Sequence, residues 1–298
     1  MHRIARLSIA FILTAFVVAA PLSAADDRDR PRLFVFGDSL SDSGNIPAPS
    51  PPYFEGRFSN GFTWADRLAP RFGLGEALVP SSAAGGTNYA RAGARVIGTD
   101  GVIDQISAYL QDTKGRADKH ATYLVFVGGN DIRDALISTL TVPGFDPVAM
   151  IDRRLATLGL ALSGLSARGA RDIVVLGLPD LSHLPGLPPQ AAPLASFLSQ
   201  RFNSGLTEIV TFLGRGEHEA TLVRVSSLFD AILADAAAGG ARFGITNTTA
   251  TCLTFPGGVP FQCAAPDTFL FWDPIHPTAR VHELLADFVV NAMSRRHD

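Results

Sequence analysis

Apolar residues recur along this chain in two alternating patterns. Short apolar runs lie at 33–36 (LFVF), 123–127 (YLVFV), 173–176 (IVVL) and 222–225 (LVRV). Four or five residues are too few for a helix of this kind but enough for a strand buried on both faces. Longer stretches repeat apolar residues every three or four positions. Val102, Ile103, Ile106, Tyr109 and Leu110 share one face of a helix over 101–112. Val148, Ile151, Leu155, Leu158, Leu162 and Leu165 do the same over 146–166. Residues 62–72 and 194–213 also read as helical. Over 279–293 a stripe of Val281, Leu284, Leu285, Phe288, Val289 and Met293 predicts a last helix with Thr278 as its N-cap. His282 and Glu283 are expected on the solvent side of that helix. Prolines 47, 49, 51 and 52 predict an irregular loop over 45–54, and 184–193 is a second Pro-rich loop.

Strands alternating with amphipathic helices predict an α/β fold, a parallel sheet with both faces covered and right-handed crossovers. No internal repeat or Gly/Ser linker divides residues 33–298, which read as a single domain. In open parallel sheets ligands bind beyond the carboxyl ends of the strands. Ser39 follows the first strand and Asn130 follows the second, so topology brings both to the same edge.

The first residues have a different character. Arg3 and Arg6 precede an almost wholly apolar run over 7–20, and Ser23-Ala24-Ala25 precedes Asp26-Asp27. That is the three-part pattern of a secretory signal peptide over 1–25, followed by a short charged lead-in over 26–32. The run is shorter than a membrane span requires. Export to the periplasm or the extracellular medium is the expectation. It gives meaning to the two cysteines, Cys252 and Cys263, which enclose ten residues with a Pro-Gly-Gly turn. In an oxidising compartment they form a disulfide; otherwise they are two buried thiols. With no histidine at ligand spacing they make a poor zinc site. The composition, 47 % hydrophobic and 18 % charged, is that of a folded protein. The net charge of −3 and the absence of a Lys/Arg block exclude a nucleic-acid footprint.

Candidate chemistry begins with the segment FGDSLSDSGN, 36–45. It places Ser39 just beyond the first strand, with Asp38, Asp42 and Ser43 expected to hold the turn through side-chain-to-backbone bonds. A serine hydroxyl needs a base to become a nucleophile. Among seven histidines, His276 has the setting for that role. Asp273 precedes it by three residues, so one turn folds the carboxylate back toward the ring, and Pro274 and Pro277 stiffen the backbone. Acyl transfer also needs donors for an oxyanion. Gly128-Gly129-Asn130-Asp131 supplies a side-chain amide, Asn88 to Ala94 supplies a small residue at Gly93, and the Ser39 amide is a third donor. Taken singly, each segment also reads as ordinary turn chemistry.

Taken together and in order, these segments resemble the GDSL family of esterases and lipases, within the SGNH hydrolases and with secreted bacterial members. Ser39 matches the family's nucleophile, Gly93 and Asn130 its oxyanion residues, and Asp273 and His276 the rest of its triad. Ala92 stands where the family usually has a second glycine. Gly56-Arg57-Phe58-Ser59-Asn60-Gly61, with Trp64 following, resembles the segment after the first block. The resemblance implies a three-layer α/β/α, flavodoxin-like fold with a roughly five-stranded parallel sheet. It implies ester hydrolysis with no metal and no cofactor. The expected substrate is a small-molecule or lipid ester, with peripheral contact with a lipid surface left open. Lipid acyl transfer and carbohydrate deacetylation use the same residues. A non-catalytic exported binding protein of the same fold is the alternative from another class. Acyl-chain preference and oligomeric state are not legible in the sequence.

Overall fold

The computed structural model describes residues 32–215 and 218–295. The expected signal peptide and almost all of the lead-in lie outside the described residues. The first three apolar runs form strands that are buried along nearly their whole length: β1 (Arg32–Gly37), β2 (Ala121–Phe126) and β3 (Asp172–Leu176). A fourth, β4 (Glu219–Val223), is a half-buried edge. It begins and ends earlier than its apolar residues predict, because Val225 already opens a helix.

The four strands are parallel and follow chain order, β1-β2-β3-β4. Phe34, Tyr123, Ile173 and Ala220 share one row of the register. The sheet therefore has four strands where the resemblance implies about five. The missing row is occupied by an irregular segment beside β1. Val35 N–H donates to Thr87 O, Tyr89 N–H to Val35 O and Arg91 N–H to Gly37 O, at 2.8–3.1 Å. Between these bonds the Asn88 side chain donates to Ser41 O and Ser43 Oγ and accepts from Ala90 N–H. Such local side-chain bonds compete with a regular ladder.

Strands in chain order with right-handed crossovers place the connecting helices on one face. There α1 (Val102–Asp112), α3 (Pro147–Ser166) and α4 (Ala192–Leu213) pack side by side, α3 against both of the others. Asp146 caps α3 by accepting from the Val148 and Ala149 amides, with Pro147 in the first turn where its missing N–H is harmless. On the other side α6 (Ala279–Ser294) packs against β4, against α5 (Val225–Ala237) and against a 3-10 helix, Asp66–Phe72. Only that short helix forms within 62–72. Two helices were not expected from the pattern: α5, and α2 (Gly129–Thr141), which grows directly out of the Gly-Gly-Asn-Asp segment.

The α6 region departs from expectation twice. Thr278 occupies the N-cap position but its hydroxyl donates to Phe269 O at 2.8 Å, while the Ala279 amide is received by Asn60 Oδ1. His282 is not solvent-facing; it is 1 % exposed and its Nδ1 accepts from the Trp64 amide. The helix packs on a wide arc, so position 282 lies beside the core stripe rather than opposite it. Glu283 is partly exposed and pairs with Arg280.

Between α5 and α6 the chain forms four short strands, none of them legible in the periodicity. β5 (Asn247–Thr251) pairs in parallel with β8 (Phe269–Phe271), and β6 (Leu253–Thr254) pairs antiparallel with β7 (Phe261–Gln262). The Cys252–Cys263 disulfide closes this hairpin. Cys252, Leu253 and Trp272 make a small separate core with Tyr53, Cys263 and Phe269 packed against it.

Candidate active site

Ser39 is presented by a turn that only this local sequence allows. A Cβ on Gly37 would meet Phe126 O at 2.4 Å, so β1 can lie this close to β2 only with glycine at its end. Gln105 from α1 pins the same residue, accepting from its N–H and donating to its carbonyl at 2.8 Å. The chain then turns through Asp38, whose carbonyl accepts from the Ser41 and Asp42 amides and whose carboxylate accepts from the Leu40 amide. Asp42 gathers the amides of Gly44, Asn45, Ile46 and, across the turn, Ala92. Ser43 differs from expectation, donating to a side chain, Asp66 Oδ1, instead of the backbone.

The turn brings Ser39 Oγ to 2.8 Å from His276 Nε2, and His276 Nδ1 lies 2.7 Å from Asp273 Oδ2. All three residues are less than a tenth exposed. With Nδ1–H donating to the carboxylate, Nε2 is the acceptor for the Ser39 hydroxyl. Asp273 also accepts the Ile275 and His276 amides on Oδ1, which locks the loop that carries the histidine. Burial pushes the Asp273 carboxyl up. The hydrogen bond and charge of His276, the Ile275 amide and Tyr53 outweigh it and hold the group below its ordinary value. The arrangement is able to take a proton from Ser39 and keep the resulting imidazolium stabilised.

Tyr53 is a contact that the sequence did not reveal. Its hydroxyl donates to Asp273 Oδ2 at 2.8 Å, the same oxygen that faces His276. It comes from the Pro-rich loop, 220 positions away. Its ring packs against Phe58, which in turn lies 5.2 Å from the imidazole, centre to centre. Removing this hydroxyl leaves Asp273 with one partner fewer on Oδ2 and freer to rotate. Tyr53→Phe is expected to lower kcat about tenfold with little change in KM, the cost of one hydrogen bond to a charged group. Steady-state kinetics on a soluble ester check this, and unchanged kcat would mean that Tyr53 only fills space.

The Arg57–Asn60 segment binds the two halves of the site together. Arg57 forms a buried ion pair with Asp66, which also receives Ser43 and Thr63. Ser59 Oγ donates to Pro277 O, Asn60 accepts from Ala279 N–H, and Trp64 Nε1 donates to Ser41 Oγ. One segment thus contacts both the turn after β1 and the residues after His276.

His282 lies beneath this joint. Burial, then the charges of His276 and Arg67, push its pKa down to about 3. The unfolded chain protonates near 6.5 while the folded chain resists. Its contribution to stability is therefore complete above pH 6.5 and is lost as pH falls toward 3. Between pH 7 and 4.5 the wild type is expected to lose about 2–3 kcal/mol from this group. Urea melts of wild type and His282→Gln at both values check it; equal acid losses in the two proteins would contradict it.

Asn130 and Gly93 are placed differently. Asn130, in the first turn of α2, lines the same cleft as Ser39 and His276, and its Nδ2 donates to Ala94 O at 3.0 Å. Gly93 does not line that cleft; it occupies an exposed turn with φ of 78°. That turn is fastened to α2 by several polar contacts. Arg95 bonds Gly93 O and both oxygens of Asp134, and Asp131 receives the Val96 amide and pairs with Arg154. Burial lifts Asp131 to about 7, against the pull of the Val96 amide and Arg154. Asp38 is likewise lifted to about 6 by burial, opposed by the Leu40 amide.

The cleft has a volume of about 300 Å³. Beyond Ser39, Asn130 and His276 its walls are mostly aliphatic: Leu40, Leu136, Leu178, Leu181, Leu184, Leu187 and Leu285, with Phe229 and Ile275. The second Pro-rich loop supplies part of this wall. Among the described residues no group of three or more His, Cys, Asp or Glu side chains is arranged to hold a metal ion, and no helix is long and apolar enough to cross a membrane.

Comparison with known proteins gives a consistent picture. The model of the GDSL-like lipase/acylhydrolase family matches residues 33–289. A GDSL esterase/lipase of Arabidopsis thaliana is 26 % identical, over 86 % of this chain and 86 % of its own. The phosphatidylcholine-sterol acyltransferase of Aeromonas hydrophila is also 26 % identical, over 96 % of this chain and 86 % of its own. Among solved structures, a putative GDSL-like lipase from Parabacteroides merdae shares the fold, with a TM-score of 0.50 at 15 % identity, covering 89 % of this chain and 96 % of that one.

Proposed function

The chain belongs to the GDSL-like lipase/acylhydrolase family and is a carboxylic ester hydrolase, and from that premise we propose that it works as an exported serine esterase or lipase through an acyl-enzyme. The observation that carries this reading is the unbroken line of hydrogen bonds from Ser39 through His276 to Asp273. Ser39 Oγ attacks the ester carbonyl as His276 Nε2 takes its proton. His276 then returns that proton to the leaving alcohol. Asp273 keeps the ring in the required tautomer and balances its charge. Water attacks the acyl-enzyme in the second half, again with His276 as base.

The tetrahedral oxyanion needs fixed donors. The Asn130 amide has one proton engaged by Ala94 O and a second to offer. The Ser39 and Gly93 amides donate to no described residue. Gly93 is the third donor on this reading only if its N–H reaches the oxyanion from outside the residues that line the cleft, on a turn held by its contacts with α2. Asn130→Ala is expected to lower kcat on p-nitrophenyl octanoate by about 10²–10³ with KM little changed. Near-full turnover in that variant would remove Asn130 from the reaction.

The aliphatic cleft favours an acyl chain over an acetyl group, because each buried methylene contributes about 0.8 kcal/mol. A second reading, transfer of the acyl group to an alcohol, uses the same residues and gains support from the acyltransferase relative. Product analysis in water with an added sterol or long-chain alcohol separates the two. Export rests on the signal-like pattern over 1–25; sequencing the N-terminus of the secreted protein tests it.

A further inference from the structure

We propose that the β6–β7 hairpin is a lipid-surface anchor, whose tip inserts into a bilayer and tethers the protein there. Residues 254–262 form an unbroken exposed stretch, stapled at its base by the Cys252–Cys263 disulfide. Phe255, Val259 and Phe261 are 50 %, 64 % and 61 % exposed. No Asp, Glu, Lys, Arg or His lies between Arg242 and Asp267. A hairpin that stays in water ordinarily carries charge, above all lysine on its edges. Three large apolar side chains on one uncharged tip mark an interaction surface.

The backbone and the size of the tip point to lipid as the partner. In hydrocarbon every unpaired N–H is costly, and this tip presents few. Pro256 and Pro260 have none, and the Gly258 and Val259 N–H groups donate inside the turn, to Phe255 O at 3.1 Å and Pro256 O at 3.2 Å. The same prolines spoil strand addition by a second copy, and β6 and β7 are only two residues long each. Three half-exposed side chains offer roughly 300 Å², well short of the about 800 Å² per partner in a stable protein interface. A bilayer needs no complementary face, only apolar side chains that leave water. The disulfide also removes freedom that an open loop would lose on insertion. At its base the hairpin is bonded to the strand that leads into Asp273: Cys252 N–H donates to Phe271 O and Leu253 N–H to Trp272 O. An inserted tip therefore holds the Asp273–His276 loop within a hairpin's length of the lipid surface, where apolar esters gather.

The test is the fluorescence of full-length Val259→Trp titrated with vesicles of ether-linked phosphatidylcholine, which offer no ester to cleave, so binding stands or falls apart from the hydrolase reading. Trp64 and Trp272 are fully buried, so the change in emission comes from the tip. It is expected to shift to the blue and to be quenched by bromine on the lipid chains. The apolar run over 7–20 can also meet lipid, but that contact does not bury a tryptophan at the tip. With Phe255→Ser and Phe261→Ser added, the vesicle concentration for half the shift should rise at least tenfold. Salt should not change it, because the tip carries no charge. The substituted side chains are exposed, so urea melts of the variants should match wild type. Unchanged emission on adding vesicles would overturn the proposal, as would a shift equally strong without the two phenylalanines. A shift that needs anionic lipid and vanishes in salt would also overturn it. So would a lipid-free wild-type dimer that the serine substitutions break, which would give the tip to a second copy.

Discussion

Ser39→Ala is expected to lower kcat for ester hydrolysis by a factor on the order of 10⁶. The reason is local. Ser39 Oγ makes one hydrogen bond, to His276 Nε2, and supports no other part of the turn. Gly37, Asp38 and Asp42 hold that turn through their own contacts, so the variant should fold with an unchanged melting temperature. Substrate should still enter the cleft, and KM should move little. What disappears is the covalent route. The oxyanion donors remain, and they leave a residual acceleration of about 10³ over the uncatalysed reaction. A Ser39→Ala protein with more than a hundredth of wild-type turnover would mean that another nucleophile does the work.

Asp273→Asn should cost about 10⁴ in kcat, with the geometry nearly intact. Each oxygen of Asp273 accepts two hydrogen bonds: the Ile275 and His276 amides on Oδ1, Tyr53 and the imidazole on Oδ2. The two amides hold the oxygen of an asparagine at Oδ1. Its NH₂ then faces His276 and donates to Nδ1, so the ring proton moves to Nε2. That nitrogen can no longer accept from Ser39. The variant should bind substrate almost normally while its turnover collapses. Its Tyr53 hydroxyl also loses an acceptor, so a fall in stability of about 1–2 kcal/mol accompanies the loss. Kinetics and urea melts on the same preparation separate the two effects. A variant within tenfold of wild-type kcat would show that the carboxylate does not set the tautomer.

The parts of this protein that were legible in its sequence are those with local causes. The strands β1, β2 and β3 announce themselves because both of their faces are buried, which leaves unbroken apolar runs. The Asp273–His276 contact is legible because three residues and two prolines confine it. Helix α2 was not legible, because Ile137 and Leu140 line the cleft with much of their surface exposed, which blurs the core-facing stripe of Ile132, Ala135 and Leu136, and its first turn is glycine, asparagine and aspartate. Helix α5 was hidden by Val225, which reads equally well as the end of a strand. The edge row beside β1 is irregular because Asn88 spends its side chain on the turn after the strand. His282 has the polarity of a surface residue but the position of a core one, and only the packing of α6 decides between them. Tyr53 meets Asp273 across 220 positions, and nothing in a proline-rich stretch foretells a hydroxyl aimed at a carboxylate. The disulfide was one of two readings until the β6–β7 hairpin brought both cysteines together.

The central claim is that Ser39 is a nucleophile activated by His276. The most direct measurement is labelling of the folded protein with a fluorophosphonate, followed by peptide mapping, in wild type and His276→Ala. The account predicts one adduct per chain, on Ser39, that abolishes esterase activity and forms at least a thousandfold more slowly without His276. An adduct on another residue, or an active enzyme that leaves Ser39 unlabelled, would contradict it.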